Sequence, residues 1–177
     1  MIPEAVTQST IDALAQNFRQ FAEIHCKGSS PLYERLSLSI ASDEALLRLA
    51  AQAPPGQPVP NLLFGAVHYL LYQQPRHDLA RYYPSIAHSP QPINDAFAYF
   101  RQFCLSQQTI IVDLFNTHRV QTNEVRRCAF LFPTFSLVFA LGSEKPLSLI
   151  EIGTSAGLNL LWDYYQYDYG FGTIVKR

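Results

Sequence analysis

Glu151, Gly153, Thr154, Ser155 and Gly157 fall within seven residues, directly after the apolar run Leu147, Ser148, Leu149, Ile150. Two glycines leave bare main chain against which a ligand can lie, Glu151 offers a carboxylate acceptor, and Ser155 offers a hydroxyl. A helix opening near Ala156 would aim its first amides into the same crevice. The apolar run predicts a buried strand over 147–152, so the segment reads as strand, glycine turn and helix. That is how open α/β sheets begin a small-molecule site.

The segment resembles the first motif of class I methyltransferases that use S-adenosylmethionine, in which an acidic residue precedes a G-x-G-x-G turn by two places. Glu151, Gly153 and Gly157 match, and Ser155 stands where the middle glycine is usual. The resemblance implies S-adenosylmethionine as cofactor, with Gly153, Thr154, Ser155 and Gly157 beneath it and Glu151 anchoring its methionine end. Residues 153–157 also spell G-x-S-x-G, the nucleophile elbow of α/β-hydrolases, which needs strands before it and an acid and then a histidine after it. His118 is the last histidine of the sequence, so this chain does not complete a triad by that order. A dinucleotide fingerprint needs three glycines where Ser155 and Leu158 take two of the places. A tight turn that binds nothing is the plain alternative.

Arg119, Gln121, Thr122, Asn123, Glu124 and Arg127 form the densest polar cluster of an apolar chain. They read either as the substrate side of a cleft or as a capped helix start with a solvated ion pair. Asp168, with Asp163 as second choice, falls near the place where cofactor-binding sheets put a ribose-holding acid, about 20 residues beyond the turn. Trp162, Tyr164, Tyr165, Tyr167 and Tyr169 could stack an adenine or simply cover an element edge. His68, in the most apolar helix, reads as a hydrogen-bonded core residue. His25, His77, His88 and His118 have no metal-ligand spacing, so no metal is expected.

The elements that must position these groups follow from periodicity. Ser9 is the expected N-cap of a first helix ending before Gly28, Ser30 with Pro31 opens a second, and Ser42 a third. Four prolines and a glycine within 53–60 predict a connector, followed by a nearly all-apolar helix over 61–72. A short helix over 78–83, a proline-rich loop, one long helix capped by Asn94, and another capped by Thr122 or Asn123 complete the series. Pro133 predicts a kink or break in the last of these.

Of 177 residues, 48% are hydrophobic and 15% charged, which suits a globular chain rather than a disordered one. A net charge of −1 argues against a dedicated nucleic-acid binder. Cys26, Cys104 and Cys128 are widely spaced and read as buried free thiols. No apolar run reaches about 18 residues and no leader pattern opens the chain, so a cytoplasmic protein away from membranes is expected.

Several segments together resemble a bacterial family known as a domain of unknown function (DUF2332-like). They are Ser30 to Tyr33; Asn61, Leu62 and Leu63 with Val67 to Leu70; residues 119–124; and residues 151–159. The resemblance implies a helical first half joined to a methyltransferase-like half, and longer relatives. The expectation is therefore a mainly α chain: a helical domain over 1–145, then over 146–177 the first β-α unit of an incomplete Rossmann-like α/β domain. An unfinished sheet would leave edges for a partner chain or for self-association, and the chain alone would be inactive. A non-enzymatic helical interaction module is the competing class.

Overall fold

The computed structural model describes residues 6–120, 124–143, 145–170 and 174–175. It is mainly helical, and it divides into two compact units, Met1–Val120 and Gln121–Arg177. The expected boundary at 145 had placed the last long helix with the first unit. That helix groups instead with the segments that follow it.

In the first unit, α1 (Gln8–Phe21) is capped by Thr7, whose side chain accepts from the amide of Thr10. Ser9, the expected cap, lies inside the helix. Ile11, Ala15 and Phe18 are buried, at the spacing of one helical face. A π-helical turn, Ala22–Cys26, carries the chain on to Gly28, whose φ of 75° ends it as expected. Ser30 caps α2 (Pro31–Ile40) with Pro31 in its first turn. Asp43, one residue beyond the expected Ser42, caps α3 (Glu44–Ala50) through the Leu46 amide. The other oxygen of Asp43 accepts from Arg101 Nε at 2.6 Å, so one carboxylate fixes a helix start and a long-range contact.

The connector is shorter than the prolines suggest, because Pro60 is compatible with a first helical turn. α4 (Val59–Gln73) follows with Leu62, Leu63, Phe64, Ala66, Val67, Leu70 and Leu71 buried. Phe64 is the aromatic hub of the core. Its ring lies 4.6 Å from Tyr33, 5.7 Å from Phe100, 5.9 Å from Phe21 and 6.3 Å from Phe18. A 3-10 turn (Asp78–Tyr82) and a second one (Ile93–Asp95) lead to α5 (Ala96–Ser106) and α6 (Gln108–Thr117). The single long helix expected here is thus two, parted at Gln107 (φ −107°, ψ 13°). Phe100, Phe103, Ile111 and Phe115 nevertheless all reach the core.

In the second unit, a 3-10 turn (Val125–Arg127) is capped by the Glu124 side chain and leads into α7 (Cys128–Leu141). The expected caps Thr122 and Asn123 lie outside the described residues. α7 continues as one helix through Pro133, so the expected break does not occur there. Proline cannot donate to the carbonyl four residues back, and that Ala129 oxygen accepts instead from Tyr169 Oη at 2.8 Å.

No strand forms over 147–152; the segment is irregular up to a turn at Ile152 and Gly153. A strand exists only through its neighbour. The one ladder among the described residues pairs β1 (Tyr167–Asp168) with β2 (Ile174–Val175), antiparallel. The helix expected after the glycines is a 3-10 segment, Leu158–Tyr164. No helix among the described residues is long and apolar enough to cross a membrane.

Candidate functional site

The glycine turn takes a backbone form that its composition allows. Gly153 (φ 75°), Ser155 (φ 50°) and Gly157 (φ 72°) alternate in the left-handed region, and the Gly157 amide donates to Thr154 O at 2.8 Å. Glycine adopts that region freely, whereas Ser155 is held there at a cost. A side chain added at Gly153 or Gly157 would meet nothing within 4 Å. The space around both glycines is therefore unfilled by other protein atoms. The strand that was to lead into it is absent.

Glu151 and Asn159 join the two ends of the turn. Asn159 Nδ2 donates to Glu151 Oε1 at 3.0 Å. The Cys128 thiol on α7 approaches Asn159 Oδ1 at 3.5 Å and its backbone oxygen at 3.8 Å. Burial pushes the Cys128 thiol above its ordinary range, so sulfur stays protonated and able to donate. Asn159 is buried, and sequence reasoning did not single it out. Its signal was an amide side chain two residues beyond the last glycine, in reach of the carboxylate only once the turn has reversed the chain.

Both arms leaving the turn line one cleft. Leu147 and Leu149 precede it, Leu160, Trp162 and Asp163 follow it, and Phe135 of α7 faces them across a volume of about 460 Å³. Trp162 and Phe135 meet edge to face at 5.1 Å. A cleft of this size, with apolar and aromatic walls and a few polar groups, is within the range of small-ligand sites.

The other expected groups are distributed differently. Asp168 sits in β1, where Oδ1 accepts from the Gly170 amide at 2.8 Å and closes its own turn. Arg119 is exposed at the end of the first unit, and Glu124 is exposed where the second unit begins, receiving the Arg126 amide at 3.0 Å. Gln121, Thr122 and Asn123 lie outside the described residues. All three cysteines are free and buried. Among the described residues no three His, Cys, Asp or Glu side chains form a metal-binding group.

The structure is a mainly helical protein whose second unit carries an open glycine turn and a cleft lined by the chain on either side of that turn. Its family can be named: the chain belongs to DUF2332, described as an uncharacterised protein conserved in bacteria, whose profile matches residues 15–174. No curated protein and no solved structure matches the chain.

Proposed function

We propose that the turn 151–157 and the cleft beside it bind S-adenosylmethionine, and that the family's activity is methyl transfer. The carrying observation is the run of three left-handed residues with clear space above both glycines, flanked on either side by chain that lines the same cleft. Bare main chain accommodates the bulk of a nucleoside, and Trp162 with Phe135 offers faces on which an adenine can stack. Asp163 on the cleft wall is the acceptor for ribose hydroxyls, the role first given to Asp168. Glu151, fixed in direction by Asn159, attracts the cationic methionine end. These residues fit the cofactor's chemistry, whereas the missing lead-in strand departs from the methyltransferase pattern. When bound, the cofactor supplies an electrophilic methyl on sulfur, and the chain's part is to orient it and exclude water.

Titration calorimetry with S-adenosylmethionine and its demethylated product tests this reading. Binding should weaken by on the order of tenfold in Glu151→Gln, about 1.4 kcal/mol, and more in Gly157→Val, where a β-branched residue must adopt positive φ. Absence of heat with folded protein would reject it.

A second reading has its own observation. Phe130 and Leu141 on α7 are each 78% exposed, and Ile150 and Ile152 are 91% and 96% exposed. Exposed large apolar side chains of this kind mark interaction surfaces, the feature expected of a helical interaction module.

A further inference from the structure

A second constellation lies entirely within the first unit. His68 on α4 is held at both ring nitrogens: Nε2 lies 2.7 Å from Ser85 Oγ, and Nδ1 lies 3.3 Å from Tyr33 Oη on α2. In the tautomer whose Nδ1–H donates to Tyr33, Nε2 accepts from the Ser85 hydroxyl. A nucleophile within hydrogen-bond reach of a base, with that base oriented by a third group, is the arrangement shared by activated serines on unrelated folds.

The surroundings hold it in place. Tyr83 is 1% exposed and lies 5.1 Å from the imidazole, and its carbonyl accepts from the amides of Ile86 and Ala87, closing the turn that carries Ser85. The Tyr83 hydroxyl is buried with no hydrogen-bond partner, a cost that a purely structural cluster would avoid by using phenylalanine. Tyr72 stacks on the imidazole at 4.9 Å and is 58% exposed, giving an apolar ring face to solvent beside the exposed Ser85. Burial lowers the basicity of His68, which leaves it neutral and able to accept a proton near neutral pH. Burial likewise pushes Tyr33 up to about 12, so its hydroxyl stays protonated.

We infer that Ser85, His68 and Tyr33 form an acyl-transfer site acting on small apolar esters, independent of the glycine turn. Ser85 Oγ bonds to the ester carbonyl carbon as its proton passes to His68 Nε2. The bond from that carbon to the leaving oxygen then breaks, and the alcohol departs with the proton from His68. Water repeats the sequence on the acyl-serine, which returns free Ser85 and releases the acid. Tyr33 is a positioning residue in this scheme.

An alkyl fluorophosphonate tests it on the full chain, because Ser85 Oγ would bond to phosphorus with loss of fluoride. Peptide mapping by mass spectrometry should find the adduct on Ser85 and none in Ser85→Ala. His68→Gln, shown folded by circular dichroism, should slow labelling at least about a hundredfold. Tyr33→Phe should lower the maximal labelling rate while leaving the half-saturating reagent concentration unchanged. No adduct on Ser85, or equal rates with and without His68, would overturn the inference. In that event Ser85→Ala would only lower the melting temperature, as expected of a clamp between the turn and α4.

Discussion

The two units use apolar residues in opposite ways. In the first, α1 to α6 build one core in which Phe18, Leu36, Ile40, Leu63, Phe100, Phe103 and Phe115 have no measurable exposure. In the second, α7 is apolar on every side yet buries only Cys128, and among the unit's described residues just Tyr167 and Asn159 join it. Amphipathic helices can satisfy one another, whereas a helix apolar all round needs covering from every direction. Stability is thus expected to reside in the first unit, while the second holds an open turn, a cleft and exposed apolar side chains.

The contrast is sharpest for aromatic truncations. Phe64→Ala removes the hub of the first core and should cost about 3–5 kcal/mol in denaturant unfolding. Phe130→Ala on the exposed side of α7 should stay within about 0.5 kcal/mol. Similar losses at the two positions would dissolve the distinction. Asp43→Ala should cost about 1–2 kcal/mol, because it removes the α3 cap together with the Arg101 contact.

Why some of this was legible in the sequence and some was not follows from how far each determinant reaches. The Ser30–Pro31 start of α2, the Gly28 stop and the burial of α4 depend on residues within a turn or two of one another, and the structure has them as read. The choice of Thr7 over Ser9, or Asp43 over Ser42, was between nearby residues that are all able to cap a helix. The break at Gln107 carries no glycine or proline to announce it. The strand at 147–152 was inferred from local apolarity, but a strand is a relation between two segments. The left-handed turn at 153–157 was readable from its glycines, whereas the Asn159 contact to Glu151 required the chain to have already turned.

Pro133 illustrates a determinant from far along the chain. The Ala129 carbonyl it leaves without a helical donor is taken by a tyrosine 40 residues on. Tyr169→Phe should therefore destabilise by about 1 kcal/mol, and the loss should shrink in a Pro133→Ala background, where an amide competes for the same oxygen. Equal losses in both backgrounds would detach Tyr169 from the continuity of α7.

Smaller effects separate the units by pH and by reagent. Burial lowers the His68 pKa below its ordinary 6.5, so the unfolded chain takes the proton first. Stability should then fall as pH drops below 6.5, and His68→Gln should flatten that dependence. Burial raises the thiol pKa of Cys26, Cys104 and Cys128, leaving less thiolate at pH 8 than a free cysteine has. Alkylation of the native protein should be slow at all three, with Cys128 reacting first because the sparsely buried unit opens most readily.

Amide hydrogen exchange with and without saturating S-adenosylmethionine is the most direct test of cofactor binding at the turn. Amides in α2, α4 and α5 should be protected whether or not the cofactor is added, and fast exchange over 151–160 should slow severalfold on its addition. Unchanged exchange over 151–160 in the presence of the cofactor would contradict binding there.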